Sequence, residues 1–137
     1  MGEPLIIWDD KFSVGIAEID RQHKSLITFA NELFEACQTS GKEAMFRQTI
    51  RKSAEYVKTH FAYEEALMRV HGYPEFNVHK LEHEEFVRQI LLKVSDYEEG
   101  RPFVANAFVR FLHDWYLNHI AISDMKYRKF FNDKGVR

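Results

Sequence analysis

Seven residues of this chain have the side-chain types and the spacing of ligands to a site that holds two metal ions. They fall into four clusters: His23, then His60 with Glu64, then His79 with His83, then His119 with Asp124. Two of the pairs are four positions apart, so on a helix their side chains lie on one face, one above the other. Five imidazoles and two carboxylates suit iron, copper, zinc or nickel better than calcium or magnesium. The pattern predicts a transition-metal centre and leaves the metal open.

Four amphipathic segments would carry these clusters. Apolar residues recur at helical spacing over about 18–39, 42–71 and 75–99, and from about 102 into the 120s. The segments are separated by Ser40-Gly41, Gly72-Tyr73-Pro74 and Gly100-Arg101-Pro102, which are sequences that end helices or cannot continue them. Pro102 is expected at the first position of the last helix. No stretch has sustained period-two alternation, so no sheet is predicted.

The short connections between these segments imply that consecutive helices are antiparallel. We therefore predict an all-α fold, an antiparallel up-down-up-down four-helix bundle with an irregular N-terminal arm over about residues 1–16. Residues 1–137 would form a single domain, which matches the usual domain size. Each clustered His lies on the apolar stripe of its helix: His119, for example, is four residues after Trp115 and three before Ile122. The ligands are thus expected to point into the bundle.

Asp124 is the member that fits least well, because it follows His119 by five positions and an ideal α-helix would turn it off the face. Either the fourth helix is bulged or broken there, for instance by a π-bulge, or the carboxylate reaches around. The same test favours Glu64 over Glu65 after His60. Two other histidines, His71 and His113, are expected at the surface or at a helix end rather than in the site.

A single His on an apolar stripe is more often an ordinary core residue than a ligand. The combination is different, because a Glu and several His in one core each cost several kcal/mol unless they are paired or bound to metal. No Lys or Arg lies on the same stripes to neutralise Glu64 and Asp124. A metal centre would remove this conflict.

The overall composition excludes several other classes of protein. The chain has 137 residues, of which 45% are hydrophobic and 29% charged, as in ordinary globular proteins. Its net charge of -2 and the lack of a basic run argue against a nucleic-acid partner. A single cysteine rules out an intrachain disulfide, and Cys37 is expected as a small core residue. The apolar runs are too short for membrane insertion, and no signal peptide is evident, so a cytoplasmic location is expected.

With these motifs in place, the sequence resembles the hemerythrin family in its bacterial single-domain form, over almost the whole chain. The segment from Phe12 to Ile16 and the segment from Ile19 to His23 look like the family's entry into the first helix. The spans His60 to Glu64, His79 to His83 and His119 to Asp124 are similar to its H-x-x-x-E, H-x-x-x-H and H-x-x-x-x-D motifs. Met68, Gly72-Tyr73-Pro74 and Trp115 also match. All seven ligand positions of the family are filled.

The resemblance implies a non-haem di-iron centre with two Fe ions joined by an oxo or hydroxo bridge. His79, His83 and His119 would bind one iron, His23 and His60 the other, and Glu64 and Asp124 would bridge both. One position on the iron with two His would stay open for reversible binding of dioxygen, in an oxygen pocket lined by Leu26, Phe61, Trp115 and Ile120. Those four residues could equally be plain core packing.

The expected function is dioxygen storage, transport or delivery, with an oxygen-consuming enzyme as a possible transient partner. The alternatives are an oxygen or redox sensor, a di-iron enzyme such as a peroxidase or a nitric-oxide-handling protein, and a metal buffer. The sequence does not separate them, since the same ligands would serve each.

Overall fold

The computed structural model describes residues 4–39 and 41–137. Within these ranges the chain is all-helical and has no strand. The helices are α1 (Ala17–Gln38), α2 (Glu43–His71), α3 (Phe76–Glu98), α4 (Ala105–Asn118) and α5 (Met125–Asp133). A short 3-10 helix, Asp10–Phe12, lies in the N-terminal arm, and a π-helical segment, His119–Asp124, joins α4 to α5. We call the latter the π segment. Because α4, the π segment and α5 continue one another, the fold is the predicted four-helix bundle.

The first three helices begin and end close to the predicted positions. At the end of α2, Gly72 takes a left-handed backbone with φ 69°, and the Tyr73 N–H donates to the carbonyl oxygen of Met68 at 2.9 Å. This is the glycine-dependent helix stop that Gly72-Tyr73-Pro74 predicted. The other predicted break, Ser40-Gly41, includes residue 40, which lies outside the described residues.

The predicted start of the last helix is wrong by three residues. Pro102 is not in the helix, which begins at Ala105 after an extended Val104 (φ -112°, ψ 110°). The extended stretch lets Phe103 pack its ring 4.9 Å from that of Tyr97 and 6.2 Å from that of Phe46. Burial of this aromatic residue therefore outweighs the preference of proline for a first helical position. The helix also runs further than expected, to Asp133.

The buried apolar residues form two clusters with the candidate ligands between them. The larger cluster fills the bundle among α1, α2, α3 and α4 and includes Leu26, Phe61 and Ile120. The smaller one joins the start of α1 and the end of α2 to α5, through Ile19, Met68, Tyr73, Tyr127 and Phe131, with Val14 and Ile16 from the arm. His23 follows Ile19 of the smaller cluster and precedes Leu26 of the larger one. The two apolar clusters thus lie on both sides of the layer of candidate ligands and shield it from water.

The N-terminal arm is mostly irregular, as predicted, but it is attached firmly to the bundle. The side-chain amide of Asn31 accepts from the Ile6 N–H and donates to the Ile6 carbonyl oxygen, both at 2.9 Å. Further along, Asp20 in the first turn of α1 accepts from the Val14 N–H at 2.8 Å. Ile6 and Phe12 are buried in the larger cluster. No helix in the described ranges is both long and apolar enough to cross a bilayer.

Candidate metal centre

All seven predicted ligand residues come together in the bundle core, each at most 4% exposed. Their donor atoms form two groups, and within each group the atoms lie within 4.8 Å of one another. One group contains Glu64, His79, His83, His119 and Asp124, and the other contains His23, His60, Glu64 and Asp124. The two carboxylates belong to both groups. This is the geometry of two adjacent cation positions with Glu64 and Asp124 between them.

The π segment explains how Asp124 joins the site although it is five residues after His119. In a π-helical turn the hydrogen bonds run between residues five apart, so positions 119 and 124 stack on one face. His119 Nε2 lies 2.9 Å from Asp124 Oδ1. Of the alternatives that the sequence left open, the structure contains the π-bulge. The same turn rotates Ile122 outwards: it was expected on the apolar stripe but is 57% exposed.

Buried polar atoms in this layer have no hydrogen-bond partner, although such atoms are nearly always satisfied in folded proteins. They include both ring nitrogens of His23, His79 Nε2, Glu64 Oε1 and both carboxylate oxygens of Asp124. His23 Nε2 approaches Asp124 Oδ2 to 3.0 Å, and His79 Nε2 approaches Asp124 Oδ1 to 2.9 Å, without hydrogen-bond geometry. Nitrogen and oxygen donor atoms that converge in this way fit a bound cation. The donor set, rich in imidazole, fits a transition metal.

Three of the histidines are oriented through their Nδ1 atoms. His60 Nδ1 lies 2.6 Å from Gln22 Oε1, His83 Nδ1 lies 2.9 Å from Glu65 Oε2, and His119 Nδ1 lies 3.1 Å from Glu82 Oε2. An ionised carboxylate only accepts, so in the last two pairs Nδ1 donates, and in the neutral ring this leaves Nε2 as the nitrogen that can bind a metal. Orienting partners of this kind are typical of metal-bound histidines.

The tautomers that these partners impose create a conflict that a cation would resolve. His83 Nε2 and His119 Nε2 lie 3.0 Å apart. With both Nδ1 atoms donating, this contact needs either a proton on one Nε2 or a cation bound by both nitrogens. Against the opposing effect of burial, Asp124 raises the pKa of His119, which favours the proton when no cation is bound. A metal ion would take the place of that proton.

The electrostatics of the core point the same way. Burial lowers the pKa of His60 to about 4, so this ring stays neutral and available as a ligand. Burial would also lower the pKa of His23 and His79, but Asp124 and Glu64 outweigh it and raise these values to about 9 and about 10. Against the opposing effect of burial, surrounding imidazoles hold the pKa of both carboxyls well below the usual range. Protons on His23 and His79 thus balance the negative charge of Glu64 and Asp124, and a bound metal ion would supply this positive charge instead.

The residues that orient the site are the ones that sequence reasoning missed. Gln22, Glu65 and Glu82 each adjoin a predicted ligand in the sequence, and that adjacency was the available signal. Glu65 had been set aside as a ligand because i+5 turns off the face, and the structure places it behind His83 instead. Tyr127 was also missed: it is fully buried on α5 and its hydroxyl donates to Glu64 Oε2.

Replacing Tyr127 with Phe should weaken metal retention without unfolding the bundle. The change removes the hydrogen bond that fixes Glu64 and leaves the ring packing in place. Loss of such an outer partner lowers metal affinity by about 10-fold or more. The rate of iron transfer to a competing chelator measures this. Tyr116→Phe is the matched control, since Tyr116 is equally buried and its hydroxyl has no partner. Equal rates in the two variants would contradict a role for Tyr127.

The four residues predicted to line an oxygen pocket lie beside the candidate ligands. Leu26, Phe61 and Ile120 are buried in the larger cluster, and Trp115 is partly buried against it. Phe61 stacks on His83, with ring centroids 3.7 Å apart and planes at 3°. Trp115 stacks on His119 at 4.3 Å and 14°. Apolar surface thus covers the two rings that face each other.

The other two histidines and the single cysteine lie outside the two donor groups. His71 is at the last position of α2, with its ring 5.7 Å from that of Phe131. His113 is partly exposed and contacts Asp114. Cys37 is only partly buried, at the edge of the larger cluster, where burial raises the pKa of its thiol. Their placement agrees with the expectation that they are not ligands.

A four-helix bundle with a buried layer of five histidines and two carboxylates defines a class of metal-binding helical proteins. The family model described as the hemerythrin HHE cation binding domain matches residues 14–130. The chain is 34% identical over 123 residues to a bacteriohemerythrin of Stenotrophomonas maltophilia, covering 90% of this chain and 79% of the relative. A bacteriohemerythrin of Clostridium acetobutylicum is 29% identical over 129 residues, covering 90% and 98%.

Solved structures give the same result. A crystal structure of wild-type hemerythrin superposes with a TM-score of 0.86 at 28% identity, covering 91% of this chain and 96% of the other. A crystal structure of a hemerythrin point mutant gives a TM-score of 0.88 at 29% identity, covering 93% and 97%. The chain belongs to the hemerythrin family.

Proposed function

We propose that this chain binds dioxygen reversibly at a non-haem di-iron centre, for storage, transport or delivery. The observation that carries the proposal is the pair of donor groups that share Glu64 and Asp124. The names of the similar proteins, bacteriohemerythrin and hemerythrin, support it.

The residues divide naturally between two irons. His79, His83 and His119 would hold one, and His23 and His60 the other, because the two donor groups separate along this line. Glu64 and Asp124 would bridge both. A bound iron pair would supply two electrons and one open position, on the iron with fewer histidines, for dioxygen. The other roles belong to the protein chain itself.

Those roles are to hold the ligands rigidly and to keep water away. Gln22, Glu65, Glu82 and Tyr127 fix the ligand side chains through hydrogen bonds. Leu26, Phe61 and Ile120, each at most 4% exposed, would wall the dioxygen pocket, with Trp115 at its outer side. A dry apolar pocket stabilises bound dioxygen because water and protons promote its loss in a reduced form.

The donor set favours binding over oxidation chemistry. Di-iron proteins of the ferritin-like type use four Glu and two His in their bundle cores. This core offers five imidazoles and two carboxylates, and fewer anionic ligands stabilise highly oxidised iron less well. An oxygen or redox sensor and a di-iron peroxidase or nitric-oxide-handling enzyme are the alternatives. A cytoplasmic location, a single domain over 1–137 and delivery of oxygen to a consuming enzyme stay predictions from the sequence.

Stopped-flow mixing of the reduced iron-loaded protein with dioxygen tests the proposal. We expect a coloured adduct that forms rapidly, decays under vacuum or argon, and returns over repeated cycles. An enzyme would instead show rapid irreversible bleaching, accelerated by peroxide or nitric oxide and accompanied by product. A metal buffer would bind iron without any reversible spectral response to dioxygen. Either of these last two results would contradict the proposal.

A further inference from the structure

A surface groove of about 620 Å³ lies between α3 and the π segment and leads to the candidate metal centre. Its lining includes Val78 and Leu81 from α3, Trp115 from α4, and His119 and Ile122 from the π segment. One of the lining residues, His119, is thus a predicted ligand. A molecule seated in this groove would lie against the metal site without entering the bundle.

The walls of the groove are unusually apolar for a surface. Leu81 is 64% exposed, and Val78 and Ile122 are each 57% exposed. Ile122 is turned outwards by the same π segment that brings Asp124 to the site. Clustered exposed apolar side chains with polar surroundings mark surfaces that bind other proteins. A patch this small matches the brief encounters of redox proteins rather than a permanent interface.

Trp115 connects the groove to the site. One face of its indole stacks on His119 at 4.3 Å and 14°, and it also stacks on Phe86 at 3.8 Å and 20°. The ring is partly exposed and lines the groove. A conjugated ring between solvent and a ligand imidazole gives an electron a short path of aromatic contacts.

Two carboxylates, those of Glu82 and Glu85, line the groove. The Glu82 side chain is 38% exposed and accepts a hydrogen bond from His119 Nδ1 at 3.1 Å. Within the described residues, His119 is the only partner that forms an ion pair with it. Glu85, which also lines the groove, forms an ion pair with Arg88. A cationic contact surface would therefore be attracted to the Glu82 side of the groove.

We propose that this groove is the docking site of a one-electron donor protein, whose contact surface is apolar and edged by Lys or Arg. The donor returns the centre to its reduced state after the bound oxygen has oxidised it. Each encounter oxidises the donor by one electron and passes that electron to iron through Trp115 and His119. Two encounters reduce both irons. The inference rests on the proposed function, since it requires redox-active iron at the site.

Methyl viologen, a flat organic cation, is the probe that tests the groove. In its reduced form it is a one-electron donor, and we expect Leu81→Lys to slow its reduction of the diferric protein by about threefold at low salt. Val70→Lys is the matched control, because Val70 is also an exposed apolar residue, 78% exposed against 64% for Leu81, and lies on α2 outside the groove. Trp115→Leu should slow the reaction more strongly, and Trp115→Phe, which keeps a stacked ring, should restore most of the rate. Equal reduction rates in Leu81→Lys and Val70→Lys would overturn the proposal. Equal rates in Trp115→Leu and Trp115→Phe would also overturn it.

A second readout does not depend on the reaction. Saturation-transfer NMR of oxidised methyl viologen with the full chain should show binding that Leu81→Lys weakens and Val70→Lys does not. Unchanged binding in Leu81→Lys would also overturn the proposal. Iron content and reversible dioxygen binding are measured on the same samples. If iron content and dioxygen binding are normal but Leu81→Lys and Val70→Lys are reduced at equal rates, only the docking site is contradicted. If reversible dioxygen binding is absent, the proposed function is contradicted. The NMR result then still tests whether the groove binds the probe.

Discussion

His119→Ala should reduce the iron content of the chain from two towards one or none. The change removes a donor from the group of five and leaves the Glu82 carboxylate without its partner. It also removes the ring on which Trp115 stacks. Because metal binding and folding are coupled in buried sites, the free energy of unfolding should fall as well. Iron analysis and thermal unfolding, with and without a chelator, measure both effects.

His113→Ala and His71→Ala are the controls for this variant. Each removes one imidazole from a position outside the two donor groups. His113 is partly exposed, so its loss should change stability by no more than about 0.5 kcal/mol. His71 packs against Phe131, and its loss should cost about 1 kcal/mol with iron content intact. If either control lost iron as fully as His119→Ala, the ligand assignment would be wrong.

Ile120→Ala should make the oxygenated protein oxidise irreversibly several times faster, with its iron content unchanged. Ile120 is 3% exposed and directly follows His119. Truncation would open space beside the proposed dioxygen position and admit water, which helps reduced oxygen to protonate and leave. The decay of the oxygenated spectrum in air gives the rate.

Ile50→Ala separates this effect from a general loss of packing. Ile50 is fully buried in the same cluster, but on α2 ten residues before His60. Both truncations should cost about 2–5 kcal/mol of stability, because each leaves a comparable cavity. Only Ile120→Ala is expected to change the oxidation rate. Equal rates in the two variants would mean that Ile120 is ordinary core and that other residues protect the bound oxygen.

The sequence was sufficient to predict most helix bounds and which seven residues the core brings together, because both follow helical periodicity. His60 with Glu64 and His79 with His83 repeat at four residues, and apolar neighbours place each pair on an inward face. The spacing of His119 and Asp124 violated that rule. The violation indicated either an irregular fourth helix or a carboxylate that reaches around, and the structure contains the π-bulge.

Other features depend on contacts between distant parts of the chain, which periodicity does not encode. Tyr127 meets Glu64 only when α5 packs against the last turns of α2, so nothing local marks its role. Ile122 fitted an unbroken stripe, but the π segment turns it to solvent. Pro102 fitted a helix start by local preference, and Phe103 packing overrode it. None of these three features follows from the spacing of apolar residues along the chain.

Metal analysis of protein purified from iron-replete cells tests the central claim most directly, namely that seven side chains hold two irons. Inductively coupled plasma measurement of iron, zinc, copper and nickel, divided by the protein concentration from amino-acid analysis, gives the stoichiometry. The two donor groups that share Glu64 and Asp124 predict two irons per chain and no haem absorption. A value near one iron per chain, or zinc in preference to iron under these conditions, would contradict the account.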